Sequence, residues 1–200
     1  MDEYGKKELL CFYDRHLRDF GDSPQALRWT PEGQEARYSA FLSIAGNLNG
    51  KSVLDFGCGK GDFYGFMRAR GIDASYCGVD VNASLIGLAS EKYPRADFRV
   101  VDIEEEGLDG RFDVIIACGV FNLRIGGIKG SMENVLKLLF DRCGQEMHFN
   151  ALSSYAVQRD VELFFVSPEE LLKFALYSLS LKVTLRHDLV RGDVFVSVFR

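Results

Sequence analysis

From residue 51 onward, short apolar runs alternate with stretches whose apolar residues recur at helical spacing. That alternation predicts a parallel α/β sheet. The runs at 52–55, 75–79, 96–101, 112–118 and 145–150 are predicted as five strands. Phe112–Cys118 is apolar almost throughout, as suits a central strand covered on both faces. Between the strands, a helix over about 61–70 carries Phe63, Phe66 and Met67, and one over 83–92 carries Leu85, Ile86 and Leu88. A third, near 131–142, shows Met132, Val135, Leu136, Leu139 and Phe140 as one stripe, with Ser131 the expected cap. Ser167-Pro168-Glu169-Glu170 has the form of a capping box opening a helix to about 178.

The two ends depart from this rhythm. Residues 3–20 predict a helix with Leu9, Leu10, Phe12, Tyr13 and Leu17 as its apolar positions, broken by Gly21-Asp22-Ser23-Pro24. Thr30-Pro31-Glu32 opens a second helix over about 31–47, with Thr30 as N-cap and Pro31 in the first turn. Residues 1–49 are therefore expected to form a small helical cap belonging to the same domain as the body, 50–200. At the other end Leu181, Val183 and Leu185 alternate with polar residues, and Val194–Phe199 returns after the turn Arg191-Gly192-Asp193. So short a connection admits only antiparallel pairing.

The chemistry concentrates in Lys51–Phe63, KSVLDFGCGKGDF. A strand ending on Asp55 runs into the turn Gly57-Cys58-Gly59-Lys60-Gly61, and a helix follows at once. Glycines there admit positive φ and close approach of a ligand to the backbone. The dinucleotide fingerprint requires G-x-G-x-x-G, but here the third glycine comes one residue early and Asp62 takes its place. A pyrophosphate wants bare N–H groups; a carboxylate beside the turn suits a cationic ligand better.

Composition narrows the classes. The 200 residues carry a net charge of −5, and no basic cluster exceeds Lys6-Lys7, which argues against a grip on a long nucleic acid. Five cysteines without C-x-x-C spacing read as reduced thiols, so a cytoplasmic protein is expected and no metal site is. The N-terminus does not read as a signal peptide, and no apolar run approaches a membrane span.

The acid followed by G-x-G-x-G, together with the terminal antiparallel hairpin, resembles the class I S-adenosylmethionine-dependent methyltransferases over about residues 50–200. The resemblance implies a doubly wound, Rossmann-like sheet, parallel with one antiparallel C-terminal strand and helices on both faces. It implies S-adenosylmethionine as cofactor, with S-adenosylhomocysteine as product. Asp55, Gly57, Cys58 and Gly59 would lie along the methionine portion. Asp80, with Val81 beside it, would take the ribose hydroxyls, and Asp102 with Ile103 would meet the adenine. Ala117 would border the cofactor, Arg37 would clamp the methionine carboxylate, and Trp29 would cover the cofactor or the acceptor. Phe121 and Asn122, just past the fourth strand, would contact the acceptor. The [DNS]-P-P-[FYW] motif of methyltransferases acting on bases or glutamine is absent, which points to a small-molecule acceptor and away from nucleic acid. No catalytic base is assigned among His16, His148 and His187, and the oligomeric state stays open. Two rivals stand beside this reading: an NAD-dependent oxidoreductase, and an inactive methyltransferase-like partner subunit.

Overall fold

In the computed structural model, which describes all residues from Met1 to Arg200, the alternation becomes one sheet with helices on both faces. The elements are α1 (Glu3–Phe20), a 3-10 turn (Pro24–Leu27), α2 (Pro31–Ala45), β1 (Ser52–Phe56), α3 (Asp62–Ala69), β2 (Ser75–Asp80), α4 (Ala83–Lys92) and β3 (Asp97–Val100). They continue with β4 (Phe112–Ala117), α5 (Ile128–Arg142), β5 (Cys143–Ser153), β6 (Phe165–Val166), α6 (Pro168–Ser178), β7 (Val183–Arg186) and β8 (Asp193–Phe199). The strand order is β3-β2-β1-β4-β5-β8-β7, with the two-residue β6 pairing β5 off that path. β8 runs antiparallel to both β5 and β7, and the remaining pairings are parallel.

Strand periodicity decides which face each side chain enters. Val53, Val114 and Ile116 join Tyr38, Phe41 and Ala45 of α2 and Phe63 and Met67 of α3 in one core layer. Their neighbours Leu54, Ile115 and Ala117 pack with Val135, Leu136 and Leu139 of α5 and Leu171 and Ala175 of α6 on the other face. The N-terminal segment shares this core: Phe41 is fully buried, its ring 5.2 Å from that of Phe195.

The expected caps hold at Thr30 and Ser167, and Asn82 caps α4 in the same way. Thr30 accepts from the Gly33 amide, Asn82 from Leu85 and Ser167 from Glu170. Ser131 is a correction: α5 begins three residues earlier, after Gly127 at φ +72°. The Ser131 hydroxyl lies inside the helix and donates instead to Glu104 at 2.6 Å. β5 also outruns the expected 145–150, because its ladder with β8 continues from Glu146–Phe199 to Leu152–Asp193. Its far end, at Asn150–Ser153, enters the region where the ligand crevice of such a sheet opens.

Candidate active site

The reversal of strand order between β1 and β4 places the ends of β3, β2, β1 and β4 side by side, where open α/β sheets bind ligands. A cavity of about 420 Å³ lies there. Taken across the sheet, it meets Asp102 and Ile103 after β3, Asp80 and Val81 after β2, Asp55 and Gly57–Gly59 at β1, and Cys118–Phe121 after β4. Of the residues expected from sequence, Trp29, Asp55, Gly57, Cys58, Gly59, Asp80, Val81, Asp102, Ile103 and Phe121 all line this one cavity.

The glycine turn is tied to the second acid. Asp80 Oδ2 accepts the Gly59 amide and Oδ1 accepts the Asn82 amide, each at 2.9 Å. A carboxylate offers about four lone-pair sites, so both oxygens keep capacity toward the cavity. Burial pushes the Asp80 carboxyl above its usual range, opposed by the backbone amides of Asn82, Gly59 and Val81. Gly57 sits at φ +71°, and a β-carbon there would fall 2.5 Å from Val120 Cγ2. Behind the turn, buried Lys60 donates to Asp62 at 2.6 Å and Asp22 at 3.1 Å, and Lys92 reaches the same two acids at 2.8 Å. This cluster fastens the turn to the loop after α1 and to the end of α4.

Asp55 is buried and accepts from the Tyr76 hydroxyl at 2.6 Å. Burial raises its pKa to about 7, against the lowering effect of that hydrogen bond. Asp102 is engaged twice, by Lys6 of α1 at 2.5 Å and by the Glu104 amide at 3.0 Å. Burial pushes the thiols of Cys58 and Cys118 well above the ordinary range, which favours the neutral thiol over the thiolate.

Three expected residues stand outside the cavity lining. Arg37 gives Nε and one terminal nitrogen to the two oxygens of Asp193, both at 2.7 Å, and another nitrogen to the Gly33 carbonyl. Its guanidinium is thus occupied, and it stands 5.2 Å over the Trp29 ring. Ala117 is fully buried in β4, within the core cluster. Asn122 lies behind the wall, its buried Oδ1 without a hydrogen-bond partner.

Sequence reasoning did not find the roof. Lys6, Leu9, Leu10 and Tyr13, at i, i+3, i+4 and i+7 on α1, line the cavity. The apolar positions were visible, but the same stripe serves core packing equally well. Asn82 bridges roof and floor by donating to Asp14 of α1 at 2.9 Å. The polar chain Arg37–Asp193–Asn150 was also missed: Asn150 donates to Asp193 and accepts the Gly119 amide, both at 2.7 Å. All three histidines lie outside the cavity, bonded to Phe12, Ser197 and Ser153 respectively.

A family model described as a methyltransferase domain matches residues 53–140, which holds the glycine turn and all three acids. A provisionally named methyltransferase of Mycobacterium tuberculosis, Rv1506c, is 29% identical over 147 residues, covering 68% of this chain and 86% of that protein. A provisionally named methyltransferase of Invertebrate iridescent virus 6, 235L, is 38% identical over 76 residues, 38% of this chain and 28% of that one. The ubiquinone biosynthesis O-methyltransferase of Dechloromonas aromatica is 36% identical over 81 residues, and the chain spans 34% of its length. Among solved structures, DhpI with S-adenosylhomocysteine superposes with a TM-score of 0.73 at 18% identity, covering 100% of this chain and 98% of that one. Magnesium protoporphyrin IX methyltransferase from Synechocystis, also with S-adenosylhomocysteine, gives 0.70 at 15% identity, covering 98% and 99%. At those identities the likeness is one of fold.

Proposed function

We propose that the chain is a class I S-adenosylmethionine-dependent methyltransferase that moves a methyl group from that cofactor to a small-molecule acceptor, a reading supported by the methyltransferase-domain match over residues 53–140 and by the likeness in fold. One observation carries the reading: Asp55, Asp80, Asp102 and the glycine turn converge on one cavity, with Asp80 bonded to the Gly59 amide. The cofactor supplies an already activated methyl on a sulfonium, so positioning does most of the work. Asp80 accepts the ribose hydroxyls, and Ile103 packs on the adenine beside Asp102. Asp55 faces the cationic methionine end, and Gly57–Gly59 admit its backbone. Trp29 and Phe121 wall the acceptor side, and Asn122, buried behind that wall, supports it from outside the cavity. Residues 1–49 act within the same domain, α1 as roof and Trp29 as wall.

A small acceptor is favoured because α1 covers the cavity and the chain is acidic. Nucleic acid is disfavoured on the same charge argument. Magnesium protoporphyrin IX methyltransferase and the plantazolicin methyltransferase, similar in fold, act by their names on small molecules and natural products. A cytoplasmic setting accords with five free cysteines; no helix is long and apolar enough to cross a membrane. The test is methyl transfer from methyl-labelled S-adenosylmethionine to pooled small metabolites, to RNA and to protein. Label entering the small-molecule fraction supports the reading, and label confined to RNA or protein overturns the acceptor class.

The raised Asp55 pKa gives this proposal a pH signature. A cationic ligand favours the carboxylate. With a pKa of about 7, affinity for S-adenosylmethionine is expected to rise roughly ten-fold from pH 6 to pH 8. Without ligand the sign reverses. A folded-state pKa raised above 3.8 means that this group's contribution to stability is present at low pH and lost as pH rises through about 7. The Asp55→Asn variant should flatten both profiles, checked by titration calorimetry and by thermal melts at pH 6, 7 and 8.

A further inference from the structure

Beside the cofactor cavity lies a second cleft of about 410 Å³, lined by Leu152, Leu163, Phe165 and the arginines Arg37, Arg159 and Arg191. Between the two stand Trp29, which lines the cofactor cavity, and Arg37, which lines the cleft. Arg37 stands over Trp29, and Trp29 packs so closely on Gly119 that a β-carbon there would meet its ring at 2.4 Å.

Three arginines in one cleft are unexpected on a chain of net charge −5. The cleft's two acids do not answer them all. Asp193 is taken by Arg37 and Asn150. Asp160 is taken from outside by Arg28 at 2.6 Å, which also holds Glu162 at 2.9 Å. Arg159 gives only its Nε, to the Ala156 carbonyl at 3.3 Å, and Arg191 makes no ion pair, so neither of these two exposed lining arginines is paired with a carboxylate. The planar fork of a guanidinium matches the paired oxygens of a carboxylate or phosphate. Apolar walls with a few convergent polar groups are the usual form of a small-molecule site.

We propose that this cleft holds the anionic group, carboxylate or phosphate, of the methyl acceptor, whose reacting atom reaches past Trp29 to the main cavity. The inference rests on the methyltransferase reading above, which supplies the acceptor. Arg159 and Arg191 bind the anion, and Arg37 with Asp193 is the positioning pair that holds Trp29 and, through Asn150, Gly119.

Trp29 is the only tryptophan in the chain and stands between the two sites, so its fluorescence reports on both. Inorganic phosphate and malonate are titrated separately into protein saturated with S-adenosylhomocysteine, against sodium chloride at equal ionic strength. The expected result is saturable binding of at least one anion, weakened about ten-fold in the Arg159→Gln/Arg191→Gln variant. The tighter of the two names the acid. The midpoint for S-adenosylhomocysteine should be the same in both proteins. No response beyond that of chloride, or binding unchanged in the variant, overturns the assignment. Failure of S-adenosylhomocysteine itself to bind overturns the methyltransferase reading separately, whatever the anions do.

Discussion

Replacing Asp80 with alanine is expected to weaken S-adenosylhomocysteine binding by roughly a hundred-fold, about 3 kcal/mol. Two losses combine in that figure. The carboxylate's hydrogen bonds to the ribose hydroxyls disappear, and charged hydrogen bonds in a partly buried site are worth about 1.5–3 kcal/mol each. The Gly59 and Asn82 amides also lose their acceptor, so the turn that receives the methionine end is no longer held to the end of β2. Asp80→Asn separates the two. Its carbonyl can serve one amide, while its NH₂ group faces the other donor, and an intermediate loss is expected. Calorimetric titration of folded variants measures both, and unchanged affinity in Asp80→Ala would remove this residue from the site.

Gly57→Ala should be at least as damaging, and for backbone reasons. At φ +71° an alanine is strained by about 1–2 kcal/mol. The new methyl group also points at Val120, at 2.5 Å from Cγ2, and overpacking of that kind costs about 1–3 kcal/mol. Together these predict a lowering of the melting temperature by roughly 6–12 °C and loss of detectable cofactor binding. Val120→Ala in the same chain relieves the collision but not the φ strain. The double variant should therefore recover part of the melting temperature and little of the affinity. Full recovery of both would show that contact with Val120, and not the left-handed backbone, is what reserves this position for glycine.

The strand ends were the most legible part of this site. A strand of period two fixes its faces, and a carboxylate at each strand end is carried to the crevice by the topology alone. Asp55, Asp80 and Asp102 could thus be placed from their positions after three apolar runs. The N-caps Thr30 and Ser167 were equally legible, because a cap acts within four residues of itself. Ser131 shows the limit of that rule: a serine before an apolar stripe has the same local signature whether it caps the helix or lies one turn inside it. What stayed hidden depends on contacts between distant segments. Lys6 meets Asp102 at a separation of 96 positions, and Arg37 finds Asp193 where the methionine carboxylate had been expected. An arginine's reach is set by the nearest carboxylate in the fold, which no local pattern reveals. The length of β5 was hidden likewise, since its last residues are strand only because β8 runs beside them.

The central claim is that this cavity is built for S-adenosylmethionine. Its most direct test is calorimetric titration of the purified protein with S-adenosylmethionine, S-adenosylhomocysteine and NAD in parallel. Micromolar binding of the first two with none of the third is the predicted result. Binding of NAD, or silence from both methionine compounds in folded protein, would contradict it.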